Sequence, residues 1–249
     1  MQFVSRAILL GCLVVGARAD SSRLEAALAA EARHETQQAL ELFLAAAEAE
    51  ADSAFLLQKI ARQYSDSVSD TPDRDEQRRR AQQSLAYARR AVALAPDDPV
   101  NVLSVAIAYG KAALVSDTRT KIGYSRLVKE GAERALVLRP DYALAHHVLG
   151  RWHRELVGIG APTRFFARLI YDGLPPASAE QAIEHLQRAT ELEPDDLLHV
   201  IELGFAYAAA GRAAEAETAW HRGLAMPNRN KDDPEAKHRA RAALAELRR

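Results

Sequence analysis

Apolar residues recur along most of the chain at the three- and four-residue spacing that is typical of amphipathic α-helices. Three of these helical patterns end alike, with an apolar segment that is followed by Pro and Asp. Proline cannot extend a helix, and the aspartate after it suits a turn or the N-cap of the next helix. The pattern therefore predicts successive helix pairs. The three phrases are Ala91 to Asp98, Ala135 to Tyr142 and Ala189 to Asp196.

The residues after Pro194 follow the spacing of a tetratricopeptide repeat, whose period is about 34 residues. Small residues, Gly204 and Ala216, are expected where the two helices of this repeat cross closely. The large residues Tyr207 and Trp220 are expected to fill the space between neighbouring helices. The other matching positions are Leu203, Gly211, Leu224 and Pro227.

We predict an all-α fold, a tetratricopeptide-like right-handed helical-hairpin solenoid with an inserted short helix and a C-terminal capping helix. The insertion is expected at 163–171, because the segment from Pro140 to Pro194 exceeds one repeat period. A polar linker is expected at 65–80. The predicted units are 20–52, 53–98, 99–142, 143–196 and 197–228, with the capping helix at 234–248.

Residues 1–19 have the pattern of a cleaved secretory signal peptide. Arg6 precedes an apolar run over 7–16, and a small-residue motif ends at Ala19, where cleavage is expected. We therefore expect a periplasmic or secreted protein with no stable membrane span after signal removal. Two alternatives remain open, a lipid anchor at Cys12 and a mitochondrial presequence.

Composition and motifs exclude several classes of function. A formal charge of −1 over 249 residues gives no basic excess, so we expect no nucleic-acid partner. One cysteine, Cys12, cannot form a disulfide within the chain or a cysteine zinc site. Common nucleotide-binding, zinc-protease and hydrolase motifs are missing from the sequence. We therefore predict that the protein is not an enzyme and has no catalytic residues, cofactor or metal.

The central and C-terminal segments together resemble the regulator of microtubule dynamics protein family. The resemblance extends roughly from Leu57 to Leu247, and the Leu-Gly-Arg-Trp box at 149–152 with the insertion after it is its most specific part. The segments that carry it are 121–125, 128–130, Ala135-Leu136, Pro140, 146–152, 164–169, 174–178, Ala182 and Leu203-Gly204.

This resemblance implies an all-helical repeat fold and a non-enzymatic binding role. Family members in animals are associated with microtubules and with mitochondrial or spindle locations. The present chain departs from the family at its N-terminus, where a predicted secretory signal stands in place of a cytosol-facing anchor. This difference argues against tubulin as the partner, and we expect a protein or peptide partner of another identity.

The first helix of each pair is expected to line the concave side of the solenoid, so its outward residues are candidate partner contacts. Arginines at 151 and 154 beside apolar residues at 201 and 205 suggest a peptide with a carboxylate and an apolar side chain. The predicted groove consists of Gln58, Arg62, Asp66, Leu103, Ile107, Lys111, His147, Arg151, Arg154, Glu155, Leu198, Ile201 and Phe205.

Several residues have both a structural and a binding interpretation. Arg151 and Trp152 are predicted to hold the insertion against its helix pair by stacking and burial, with a ligand contact as the alternative. The arginines at 78–80 are predicted to form a solvated helix start, with a phosphate or lipid-headgroup contact as the alternative.

Other functional interpretations also remain open. His146 and His153 share a helix face, and with Glu155 they leave a metal site as an alternative. A small-molecule-binding or enzymatic pocket is the alternative function. Self-association through the C-terminal helix is the third possibility.

Overall fold

The computed structural model describes residues 22–160, 163, 168 and 173–247. Within these residues the protein is helical and has no β-strand, which confirms the predicted all-α class. The predicted signal peptide lies outside the described residues, and so does most of the predicted inserted helix. None of the described helices is long and apolar enough to cross a membrane.

The chain divides into two compact units between Pro96 and Asp97. In the first unit, Phe43 and Ile60 lie fully buried in a cluster with alanines of the first two helices. The third and fourth helices pack against each other, and the Ser84 hydroxyl donates to the Ala61 carbonyl at 2.9 Å. The helices are α1 (22–32), α2 (Thr36–Ala47), α3 (Ala54–Ser67) and α4 (Arg74–Leu94).

The second unit consists of helix pairs followed by a last helix. Helices α5 and α6 pack as one pair, α7 and α8 as the next, and α9 and α10 as the third. Helix α9 also contacts α7 and α11, so the first helices of successive pairs lie side by side. The helices are α5 (Pro99–Leu114), α6 (Thr118–Leu138), α7 (Ala143–Val157), α8 (Ala179–Leu192), α9 (Leu197–Ala209), α10 (Ala213–Ala225) and α11 (Asp233–Leu247).

Two of the three Pro-Asp phrases begin the next helix as the sequence predicts. The Asp98 carboxylate accepts from the Val100 amide at 2.7 Å, and that of Asp196 accepts from Leu198 at 2.8 Å. These caps satisfy amides that lack a partner within the helix. In the remaining phrase, Ala135 to Tyr142, Tyr142 occupies the N-cap position and its side chain forms no capping hydrogen bond.

The polar linker predicted at 65–80 is wrong for most of its length. Helix α3 continues to Ser67, and α4 already begins at Arg74 behind the N-cap Asp73. Charged residues form this helix start because they pair along it: Arg80 Nε lies 2.7 Å from Glu76. Arg78 and Arg79 pair with Asp75 and Glu76 in the same turn. The arginines at 78–80 are therefore helical, as predicted, but the helix starts four residues earlier, at Arg74.

Small residues allow the paired helices to approach closely. A Cβ at Gly204 would lie 2.5 Å from the Trp220 ring, and one at Gly150 would lie 2.5 Å from Leu186 Cγ. The Trp220 ring is itself held in place, because its Nε1 donates to the Ile201 carbonyl at 3.2 Å. The predicted crossing at Gly204 is thus confirmed, with Trp220 as the side chain that fills the space.

We expect Gly204→Ala to lower the free energy of unfolding by about 1–3 kcal/mol, because the new methyl group overpacks the contact with Trp220. Urea unfolding followed by circular dichroism measures this change. Gly123→Ala is the matched control, since a Cβ at this helical glycine has no neighbour within 4 Å. The control should gain about 0.5–1 kcal/mol from helix propensity. Equal effects at the two glycines would contradict the close-packing argument.

Candidate partner-binding face

One buried carboxylate joins three helices of the second unit. Glu202 on α9 is only 2% exposed. Arg154 on α7 places its Nε 3.2 Å from Glu202 Oε2, and Arg239 on α11 donates from Nη2 to Oε1 at 2.7 Å. We call the surface that these three helices present around Glu202 the α7–α9–α11 face. Its central charges come from residues far apart in sequence.

Electrostatics keep Glu202 ionised. Burial alone would raise the pKa of this carboxyl, but Arg154, Arg151 and other nearby cations outweigh burial and lower the pKa to about 2. The guanidinium groups of Arg154 and Arg239 also lie 5.7 and 5.1 Å from the centre of the Phe205 ring. These cation–π contacts hold both arginines over an aromatic surface. The face therefore presents a charged network with an apolar base.

Arg151 extends this network towards solvent. Its Nε donates to Glu155 Oε1 at 2.8 Å, and both side chains are about half exposed, at 49% and 50%. Arg154 Nη2 lies 3.4 Å from the same carboxylate oxygen. An exposed ion pair of this kind is weak and can exchange partners. Arg151 is therefore a cation of the face that an incoming carboxylate can reach.

Two histidine pairs connect α7 with α8 and α9. The Nδ1 atoms of His147 and His199 lie 2.9 Å apart, and those of His146 and His185 lie 3.0 Å apart. Burial, the nearby His199 and the arginines of α7 lower the pKa of His147 to about 3. A neutral imidazole can accept one hydrogen bond and donate another, so each close pair fits one donor and one acceptor.

His153 on α7 is a further buried histidine, 4% exposed. Its Nδ1 accepts from the backbone amide of Ser178, the N-cap of α8, at 3.3 Å. Burial and the neighbouring His185 lower the pKa of His153 to about 4. The neutral ring is required here, because a proton on Nδ1 would remove the acceptor.

The structure corrects two residues of the predicted groove. Leu103 is 1% exposed and Ile201 is 0% exposed, so both belong to the core and cannot contact a partner. Ile201 instead packs on α10, where a Cβ at Gly223 would lie 2.5 Å from its Cγ1. Helices α5 and α9 carry apolar residues around most of their circumference, so apolarity alone does not indicate which residue points outwards.

The other predicted residues fall in different places. His147, Arg151, Arg154, Glu155 and Phe205 surround Glu202 or adjoin its network. Partly exposed residues elsewhere in the second unit are Ile107, Lys111 and Leu198. In the first unit, Gln58 and Asp66 are partly exposed and Arg62 is exposed.

Within the first unit, Arg62 Nε lies 3.6 Å from Asp66 and 3.8 Å from Glu31. These three side chains form a charge cluster of the first unit.

Trp152 is a buried packing residue, but its hydrogen bond is to the preceding helix pair, and its predicted contact with the insertion stays a prediction. Its ring is 5% exposed, and its Nε1 donates to the Ser125 carbonyl at 2.8 Å. The contact lies on α6, in the preceding helix pair. The metal alternative at His146, His153 and Glu155 is not supported. Both ring nitrogens of His146 have partners, His185 and the Pro140 carbonyl, and Glu155 pairs with Arg151.

His199, Glu202 and Arg239 were not predicted from the sequence as residues of this face. A signal was present for the first two, because they are polar residues three positions apart within the apolar sequence of α9. Such residues are expected to be buried with partners or to serve a function. Arg239 had no comparable signal, since it lies in a helix rich in charged residues.

Solved structures share this fold. The chain superposes on a thermophilic TPR protein of Thermus thermophilus with a TM-score of 0.67 and 19% identity, covering 91% of this chain and 99% of the other. A chain of the APC/C hetero-tetramer Cut9–Hcn1 gives a TM-score of 0.61 with 15% identity, over 89% of this chain and 36% of that one. The protein therefore has the tetratricopeptide fold class that the repeat spacing predicts.

The family follows from the sequence. The model of the family "Regulator of microtubule dynamics protein 1-3" matches residues 23–248, and the chain belongs to this family. Regulator of microtubule dynamics protein 3 of Xenopus laevis is 27% identical over 57% of this chain and 31% of its own length. Regulator of microtubule dynamics protein 1 of Bos taurus is 26% identical over 59% and 46%. The chain thus spans about a third to a half of these curated relatives.

Glu202→Gln should lower the free energy of unfolding by about 1.5–3 kcal/mol near pH 7, because it removes the charge that the arginines hold. The folded pKa lies below the usual 4.5, so this contribution is present above about pH 4.5 and disappears as the pH falls towards 2. Chemical unfolding at several pH values measures the difference between wild type and variant.

Glu155→Gln is the control for this comparison, since it removes an exposed carboxylate of the same face and should cost less than about 1 kcal/mol. A Glu202→Gln variant as stable as the Glu155→Gln variant at every pH would show that the buried network does not stabilise the fold.

Acidification should destabilise the protein through His153. Because the folded pKa is about 4 and the ordinary value is 6.5, the unfolded chain binds the proton more readily. The stabilising contribution of the neutral ring is complete above about pH 6.5 and is lost as the pH falls to 4. His153→Asn keeps an acceptor for the Ser178 amide without titrating, so its stability should depend less on pH in this interval. Parallel pH profiles for both proteins would refute this role.

Proposed function

We propose that the protein is a non-enzymatic scaffold whose α7–α9–α11 face binds an acidic segment of a protein or peptide partner. Family membership and the tetratricopeptide fold support an interaction role. The observation that supports an acidic partner is the position of Arg151 beside the buried Arg154–Glu202–Arg239 network. The Arg151 side chain is half exposed, and its ion pair with Glu155 is weak.

The geometry favours a carboxylate ligand. Arginine can bind a carboxylate with two parallel hydrogen bonds, and the exposed Glu155 is the group that an incoming carboxylate would displace from Arg151. The Phe205 ring, which Arg154 and Arg239 contact, is partly exposed and offers apolar surface. A partner segment that combines an acidic group with an apolar side chain therefore fits both features.

The charged network suits binding better than acid–base catalysis. A general acid or base works best when its pKa lies near the working pH. The pKa of Glu202 is lowered to about 2, and its carboxylate is held by Arg154 and Arg239. Glu202 is therefore a fixed anion that positions the arginines, and this supports the scaffold over the enzymatic alternative.

We also infer that the partner lies outside the cytosol. The names of the curated relatives refer to microtubule dynamics, which is a property of those proteins. The predicted signal peptide at 1–19 supports a partner outside the cytosol, in the periplasm or the secreted space, and argues against tubulin.

Peptide binding tests the proposal. The probe is a fluorescent pool of twelve-residue peptides that end in an acidic and an apolar residue and contain no other acidic residue. In the amidated pool used for comparison, the acidic residue is replaced by Asn or Gln and the C-terminus is also amidated, so that no carboxylate remains. We expect the free-carboxylate pool to bind, and Arg151→Gln combined with Arg154→Gln to weaken binding by about tenfold or more, because charged hydrogen bonds are lost. Fluorescence anisotropy titration measures the change.

Arg188→Gln provides the matched control, because Arg188 forms an exposed ion pair with Glu191 on α8, away from Glu202. This variant should bind as the wild type does. Equal binding by the Arg151/Arg154 double variant and by the control would overturn the proposed face. Equal binding of free-acid and amidated pools would overturn carboxylate recognition.

A further inference from the structure

The turn between α8 and α9 brings three metal-binding side chains together. Glu193 is the C-cap of α8, Asp196 is the N-cap of α9, and His199 lies in the first turn of α9. One donor atom from each residue lies within 4.8 Å of the other two. Among the residues that the structure describes, these three side chains are the group of histidine and carboxylate residues that lie close enough together to hold one metal ion.

His199 is the unusual member of this group. The residue is 2% exposed, and its buried Nε2 has no hydrogen-bond partner. Nε2 lies 3.4 Å from Glu193 Oε2, so the unpartnered nitrogen is directed at the carboxylates. A buried polar atom without a partner is costly and calls for an explanation such as a missing ion.

The neighbouring helix supports His199 in the way that metal-bound histidines are usually supported. His147 Nδ1 lies 2.9 Å from His199 Nδ1. If His199 Nδ1 carries the proton and donates to His147, Nε2 is left unprotonated with its lone pair towards the carboxylates. Metal-bound histidines almost always donate their other ring N–H to a second group, which fixes the ring and its tautomer.

The turn at Pro96 shows which residues of the turn at Pro194 the fold requires. The turn at Pro96 has the same Pro-Asp-Asp sequence, and Asp98 caps α5 just as Asp196 caps α9. At the positions that correspond to Glu193 and His199, however, that turn has Ala95 and Asn101. The aspartate alone is therefore sufficient for the turn, and the glutamate and histidine are additions that the turn does not need.

We propose that Glu193, Asp196 and His199 form a binding site for a divalent transition-metal ion, best represented by Zn²⁺. Zinc accepts imidazole and carboxylate ligands at about 2.0–2.2 Å, which places neighbouring ligand atoms of a tetrahedron roughly 3.3 Å apart. The 3.4 Å between His199 Nε2 and Glu193 Oε2 matches this separation. Asp196 keeps one oxygen on its N-cap bond and supplies the other. Three protein ligands leave a fourth position for water or for a ligand from a partner.

Zinc titration of the purified, metal-stripped protein without a histidine tag tests the site. We expect one Zn²⁺ per chain by calorimetry, and visible absorption typical of tetrahedral Co²⁺ when cobalt is added. Glu193→Gln should weaken Zn²⁺ binding by at least about tenfold, and His199→Asn should weaken it further, because each removes a direct ligand. Glu193 is exposed, so its substitution leaves the fold intact even if the His199 variant does not fold.

The matched control is Asp98→Asn against Asp196→Asn. Asparagine keeps an oxygen for the helix cap at both positions, so both variants should fold and begin their helices normally. Only Asp196→Asn is expected to weaken Zn²⁺ binding. The proposal is overturned if the wild type shows no one-to-one binding, or if Glu193→Gln and Asp196→Asn bind Zn²⁺ as tightly as Asp98→Asn.

Discussion

The close approach of the two helices in each pair is the constraint on which the second unit depends. Gly204 of α9 leaves room for the Trp220 ring of α10, and the ring donates back to the Ile201 carbonyl of α9. Gly150 of α7 admits Leu186 of α8 in the same way. Since packed interiors tolerate little change in volume, these contacts fix the rotation of each helix about its axis. The rotation of α9 in turn decides which of its residues face α7 and α11.

The buried charge network is a consequence of that rotation. With Ile201 and Gly204 of α9 held against α10, Glu202 lies where α7 and α11 meet α9. Arg154 and Arg239 reach its carboxylate from α7 and α11. A buried carboxylate is tolerated only with such partners. The network therefore links three helices in one register, and leaves Arg151 at its edge with solvent access.

Local chemistry made much of the fold predictable from sequence. The N-caps at Asp98 and Asp196, and the small residue at Gly204, follow from rules that involve neighbouring residues or one repeat. The candidate site was less predictable, because its pairs are long-range: His147 meets His199, and Arg239 meets Glu202, across different helices. The outward faces of apolar helices also carry no clear period, which is why Ile201 was assigned to the groove while Glu202, next to it, was missed.

Within one chain, the repeated turns separate the residues that the fold requires from residues that it does not require. Asp98 and Asp196 have the same capping role, whereas the residues at the flanking positions differ: Ala95 and Asn101 in one turn, Glu193 and His199 in the other. A fold that is satisfied by alanine and asparagine gains nothing from a buried histidine with an unpartnered nitrogen. The same reasoning applies to Glu202, whose burial requires arginines that the repeat itself does not supply. Both features lie on α9, so the polar residues of this otherwise apolar helix are where the chain departs from a plain tetratricopeptide scaffold.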